Sequence, residues 1–309
     1  MATIDLTAAP PPRTAKVLDG VPRRLALTLP ELRLVAQHAG DAPLPFDVSV
    51  ADVPSPLDAR LGTTSVSGEE AAYAAALASL HGAEDSLTRR GLLDGDVVEP
   101  GLLGAVGLLA VPELALEIDI ATATTHVKAW HRESAGAVAT LATVDGLVFE
   151  LAWFGADQWA GELARVAVVP EEVTLHDSAV PVAFTMPYSL ADSVGEALRS
   201  HRSDLVQVLV DQADGSVVDG DGNPIEDAAA GAAVAALHQE AQGRLRLLAA
   251  RIEETGSTAV GVVSWTLLAD GWHALLPHHD VAAPRLEVRR VTPQDLPATL
   301  APVLAEVNA

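Results

Sequence analysis

Pro112-Glu-Leu-Ala-Leu-Glu-Ile-Asp-Ile120 is where the chain changes its period. Before Pro112 the apolar residues recur at helical spacing. Beyond it Leu114, Leu116, Ile118 and Ile120 alternate with Ala115, Glu117, Asp119 and Ala121. A strand turns successive side chains to opposite faces, so this pattern predicts a half-buried β-strand. Val127 to Arg132 and Ala137 to Val144 read as two more strands. Asp145-Gly146 then supplies the pair that a two-residue hairpin turn favours, because its central positions need positive φ. The returning strand places Leu147, Phe149, Leu151 and Trp153 on one face, and a helix from about Asp157 to Ala167 closes the unit.

On the N-terminal side, Leu25 to Leu29 reads as a short strand and Pro30 to Ala39 as a helix with proline at its first position. Residues 40–66 carry Pro43, Pro45, Pro54 and Pro56 and read as a connection. Ser67-Gly-Glu-Glu70 is a capping-box pattern, so a helix is expected from there to about Arg90, where Gly91 stops it. A second helix starts at Pro100, and its Gly101, Gly104 and Gly107 share a side where close packing is expected. Downstream the order repeats. Ser189-Leu-Ala-Asp192 is a capping-box-like start, with Leu190, Val194, Ala197, Leu198, Leu205 and Leu209 at helical spacing, and a further helix fits Ile225 to Gln242. Strands resume at Leu245/Leu247/Ala249, Val263/Trp265/Leu267, Trp272/Ala274/Leu276 and Leu286/Val288, with a turn at Asp270-Gly271. Thr292-Pro-Gln-Asp295 caps a last helix to about Val307. Antiparallel hairpins flanked by helices, met twice, predict an α+β class: a quasi-two-fold duplicated unit, each half a mostly antiparallel β-meander with flanking helices. The expected division is a Pro/Ala-rich tail over 1–24, a first half over 25–168 and a second half over 169–309.

The chain has 309 residues, 49% of them hydrophobic, which is enough for a sizeable core. Cysteine is absent, so disulfides, thiolate metal sites and cysteine nucleophiles are excluded. The formal net charge is −23, which repels nucleic acid and anionic membranes at long range. The longest apolar run, Gly101 to Pro112, is too short to span a bilayer. Met-Ala-Thr-Ile-Asp5 lacks the basic start of a signal peptide, so a cytoplasmic protein without membrane insertion is expected.

The motifs that carry chemistry are missing. There is no phosphate-binding glycine loop and no nucleophile elbow. His278-His279-Asp280 is the densest histidine group, but adjacent side chains on a loop diverge. The acidic stretch Asp211 to Asp227 begins a calcium-loop pattern at Asp219-Gly-Asp221-Gly-Asn223. It then places Pro224 where the sharp turn needs glycine and Ala230 where a bidentate Glu belongs. The expectation is therefore no metal, no cofactor and no catalytic residue: a binding protein rather than an enzyme. The alternative is an enzyme or small-molecule binder with a pocket between the halves. Trp130 shares a strand face with His126, Lys128 and Arg132, and reads as either the rim of the core or a partner anchor.

Ser86-Leu-Thr-Arg-Arg-Gly-Leu-Leu-Asp-Gly95, the helix after it and Pro112 to Ile120 resemble the EspG family of actinobacterial type VII secretion proteins. So do Val263-Ser-Trp-Thr-Leu-Leu-Ala-Asp-Gly-Trp272 and Leu286-Glu-Val-Arg-Arg-Val-Thr-Pro-Gln-Asp-Leu296. The resemblance runs over about residues 25 to 307, in order, spacing and short phrases. It implies a quasi-two-fold α+β fold and a cytosolic chaperone for newly made secretion substrates. These would be helical proteins, PE–PPE-like heterodimers or WXG100-like, held soluble before export. It also implies a binding surface at the loop after the second strand of the first half and at the second-half helices. On this sequence that surface is Arg132, Glu133, Ser134 and Gly136, with Trp130 beside them, and Leu198, Leu205 and Leu209 within 189–242. The Pro-rich tail, the acidic insert and the short loop depart from the family pattern.

Overall fold

The computed structural model describes residues 22–46, 68–253, 256–279 and 283–307. Strand β1 (Arg23–Thr28) runs straight into helix α1 (Leu29–His38), whose start is fixed by a reciprocal capping box between Thr28 and Glu31. Helices α2 (Gly68–Ala78) and α3 (Ala83–Arg89), a small hairpin of β2 (Leu93–Asp94) and β3 (Val97–Val98), and helix α4 (Pro100–Ala110) follow. Then come β4 (Leu114–Thr122), β5 (His126–Ser134), β6 (Ala137–Thr143), β7 (Val148–Gly155) and helix α5 (Trp159–Val166). The second half is β8 (Ala183–Pro187), α6 (Tyr188–Arg199), α7 (Val206–Gln212), β9 (Val218–Asp219) and α8 (Asp227–Gln239), then β10 (Gly243–Glu253), β11 (Gly256–Leu268), β12 (Gly271–His279), β13 (Pro284–Arg290) and α9 (Leu296–Val307).

The main strands form one antiparallel sheet in the order β1-β7-β6-β5-β4-β10-β11-β12-β13-β8-β9. Each half is a four-strand meander whose last strand is flanked by the strand that opened the half: β1 beside β7, β8 beside β13. The halves meet edge to edge where β4 pairs antiparallel with β10, from Leu114–Arg251 to Thr122–Gly243, with Ile118 opposite Leu247 near the middle. Antiparallel pairing of equivalent strands makes a quasi-two-fold axis through this seam. Gly243 closes one end of it: a Cβ there would lie 2.9 Å from the Ala121 carbonyl oxygen, which is backbone and cannot yield.

Alternation sorts the side chains to two faces. On the back, Leu116, Ile118, Leu245, Leu247, Trp265 and Trp272 pack under α5 and α9 through Leu163, Leu296 and Leu300. Trp272 donates its indole N–H to the Ala167 carbonyl at 2.8 Å. On the front there are two separate lobes. Helices α1, α3 and α4 cover Leu141, Phe149, Leu151 and Trp153 at one end. Helices α6, α7 and α8 cover Phe184, Met186, Leu286 and Val288 at the other.

The α+β reading with its duplicated halves holds, and several local expectations change. The helix expected from Ser67 to Arg90 breaks between Ala78 and Ala83 around Gly82, and Ser67 itself lies outside the described residues. The Asp145-Gly146 turn is a four-residue connection from Val144 to Leu147. Asp145 Oδ1 accepts from the Leu147 and Val148 amides, and Gly146 has φ +71°. Helix α6 opens at Tyr188 after Pro187 with no side-chain cap, so Ser189–Asp192 is no capping box. The last helix keeps its reciprocal box between Thr292 and Asp295. Of the three helical glycines, Gly101 faces Trp153 closely, whereas the Cα atoms of Gly104 and Gly107 face open space. Strand β1 starts at Arg23, inside the expected tail, and β8 is a strand that the periodicity did not reveal.

Candidate functional site: a bay on the front of the sheet

Between the two front lobes no helix among the described residues covers the sheet. The floor is the front face of β4, β10 and β11, edged by the start of β5. Strands lie about 4.8 Å apart, so this floor is about 10–14 Å wide. An α-helix with its side chains is about 10–12 Å across, so the bay is one helix wide.

The ladders set the rows across the floor. Lys128, Asp119, Arg246 and Ser264 stand opposite one another on β5, β4, β10 and β11, and so do Trp130, Glu117, Leu248 and Val262. Leu248 is 37% exposed and Val262 49% exposed, on strands whose other face is core. Asp119 takes His126 Nε2 at 2.7 Å and stands 3.8 Å from Arg244.

At the first-lobe wall a cavity of about 650 Å³ opens between Leu44, Leu109, Ala115, Leu248 and Val262, so it straddles the two halves. Its polar content is Arg132 with Glu117. Arg132 is 6% exposed. Its guanidinium donates to the Leu116 carbonyl at 2.9 Å, the His131 carbonyl at 3.2 Å and Glu117 Oε1 at 3.3 Å. Burial pulls its pKa below the usual value, and Glu117 opposes that shift. At the second-lobe wall a cavity of about 380 Å³ lies among Tyr188, Asp192, His238, Thr266 and Leu275. Each reads physically as a socket for a side chain: apolar walls with a few polar groups at the rim. Among the described residues no group of three or more His, Asp or Glu converges as a metal site would.

The residues singled out in the sequence fall into three places. Arg132 is in the bay. Trp130 points to the same face but is buried, 5.1 Å from the Phe46 ring, as core rim rather than exposed anchor. Glu133, Ser134 and Gly136 form the tight β5–β6 turn at the end of the bay: Glu133 Oε1 accepts from the Gly136 amide at 2.9 Å, and Ser134 Oγ donates to Glu113 Oε1 at 2.8 Å. Leu198 and Leu209 pack into the second-lobe core, on separate helices because His201 turns the chain with φ +58°. Leu205 is half-buried at the turn between them. Sequence reasoning missed Leu248, Val262, Arg244 and Arg246. The signal was present in the doublets Leu247-Leu248 and Val262-Val263, where apolar residues break the alternation and so face both sides.

No family model and no curated protein matches the chain. Among solved structures the chain is similar to the type VII secretion system chaperone EspG5 of Mycobacterium tuberculosis, solved in complex with a PE25–PPE41 dimer. The two share 13% identity with a TM-score of 0.61, over 92% of this chain and 96% of that one. The likeness is one of fold: the duplicated α+β architecture is EspG-like over the matched 92% of the chain.

Proposed function

We propose that this protein is a cytoplasmic chaperone that holds a helical type VII secretion substrate, of the PE–PPE kind, until export. The observation that carries the reading is the helix-wide bay, with Leu248 and Val262 exposed on its floor, in a fold shared along its length with a secretion chaperone. A chaperone of this kind needs no acid–base pair. It needs a place where an apolar helical tip is shielded, and sockets that fix its register. The large negative charge serves solubility of the loaded carrier. The turn at Arg132–Gly136 and the second-lobe helices then act as end and side walls of the bay, with Arg132 the one of these residues that reaches the floor.

The test is co-expression of the chain with candidate type VII secretion substrates of the PE–PPE kind, followed by affinity purification and size-exclusion chromatography. A co-eluting helical substrate is expected, lost on Val262→Arg with unchanged circular dichroism. A complex that survives the Leu248→Arg, Val262→Arg double substitution would overturn the bay as the binding surface.

A further inference from the structure

We infer that the partner segment lying in this bay is acidic, with carboxylates set against Lys128, Arg244 and Arg246. The inference rests on the bay being a partner surface, and it names that partner's chemistry.

The floor reverses the charge balance of the chain. The sequence has 19 Lys and Arg against 42 Asp and Glu. Yet Lys128, Arg132, Arg244 and Arg246 face the bay from β5 and β10, while the carboxylates between them on β4 are Glu117 and Asp119. Arg132 holds Glu117. Asp119 is shared by His126 and Arg244. Lys128 and Arg246, which flank Asp119 on either side, have no carboxylate within salt-bridge distance among the described residues. Arg244 is held only at 3.8 Å, with 71% of its side chain exposed. Asp192 on α6 lines the far-wall cavity, beyond β11. Two cations of this face thus lack a carboxylate of their own and a third is held only loosely, in a chain short of cations. Their cost is offset when a partner's carboxylates complete the row.

Range decides why this works against the charge of the whole molecule. The Debye length in physiological salt is about 8 Å, so an acidic partner is repelled by the distant surface only weakly and feels the local row fully at contact. The remaining surface stays unattractive to it. Electrostatic complementarity of this kind sets specificity and register more than total affinity. The apolar pair Leu248 and Val262 lies in the next row, so the segment that fits carries acidic residues one turn away from an apolar one.

The experiment uses two synthetic helical peptides of about 20 residues with the same leucine stripe, one flanked by Glu and one by Lys, titrated into the full chain by fluorescence anisotropy. The Glu peptide is expected to bind at least about 30-fold more tightly, and its affinity to fall as salt is raised. The Lys128→Glu, Arg246→Glu variant is expected to invert that preference, and Val262→Arg to weaken both peptides. Equal binding of the two peptides, or loss on Val262→Arg with no inversion in the charge-reversed variant, overturns the acidic partner while leaving the bay in place. Indifference to every one of these substitutions, or no binding of either peptide, overturns the inference too. The co-expression test above decides separately whether the bay is the partner surface.

Discussion

Trp159 donates its indole N–H to Nδ1 of His131 at 2.9 Å beneath the sheet, where His131 is 1% exposed. The imidazole is therefore held as a neutral acceptor. Burial pushes its pKa down to about 3 from 6.5, with Glu162 opposing and Arg165 and Arg132 assisting. A folded-state value below the unfolded one gives stability that is complete above pH 6.5 and lost as pH falls toward 3. Going from about pH 7.5 to about pH 5 should cost roughly 2 kcal/mol from this one group. Urea unfolding at the two pH values checks it, and His131→Gln, which keeps a neutral acceptor, should flatten the dependence.

Phe149 stacks on Phe46 with ring centroids 4.9 Å apart and is 1% exposed. Phe149→Ala should cost about 3–5 kcal/mol, the lost transfer free energy plus the cavity left behind. An unchanged thermal midpoint would contradict the register that places Phe149, Leu151 and Trp153 under the first lobe.

In the second lobe, Leu198 and Leu209 pack against the core while Val208 is 48% exposed. A carboxylate at Leu209 would be set against that apolar cluster, so Leu209→Asp should unfold the lobe, whereas Val208→Asp should leave circular dichroism unchanged. If both variants fold and capture of the substrate is lost only with Leu209→Asp, that leucine is a contact and the packing assigned to it is wrong.

Asp219 is already engaged. Its Oδ1 accepts from the backbone amides of Asn223 and Asp221, both at 2.9 Å. Those bonds, that of Asn223 foremost, hold its carboxyl below the usual pKa. A carboxylate turned onto its own loop is a poor calcium ligand, so calorimetry should show no micromolar uptake at Asp219 to Pro224. Asp219→Ala should loosen the turn, seen as faster amide exchange at Asn223.

How far the fold could be read depended on where each segment gets its stability. Strands β4 and β10 bury one face and leave the other more open, so their alternation was plain in Ile118 and Leu247, while β7 and β12 showed it through the large residues Phe149 and Trp272 although both their faces are buried over part of their length. Strand β8 is five residues ending in Pro187. It is held by its pairing with β13, whose partners lie about a hundred residues away, and no local pattern carries that. The seam of β4 with β10 is equally distant in sequence. The bay was illegible for the same reason: its floor is assembled from the outward residues of strands from both halves, and an outward Arg246 or Lys128 looks like any solvated residue until its row is known. Arg132 was the exception, because it sits on a strand already suspected for its mixed face.

The seam between β4 and β10 also bears on how such a molecule could arise. Each half ends at this point in an open strand, and the antiparallel match from Leu114–Arg251 to Thr122–Gly243 satisfies both edges at once. A half made alone would expose the whole edge of β4 and would find its complement in another copy of itself. The single chain thus has the geometry of a fused homodimer. The two halves nevertheless differ within that plan: the β5–β6 ladder runs from Lys128–Thr143 to Ser134–Ala137, while β11 and β12 part after Ser264–Leu275. A symmetric ancestor would have offered two equal walls around its axis; here one wall carries a buried arginine and the other a tyrosine and a histidine. That inequality makes the two ends of the bay chemically distinct.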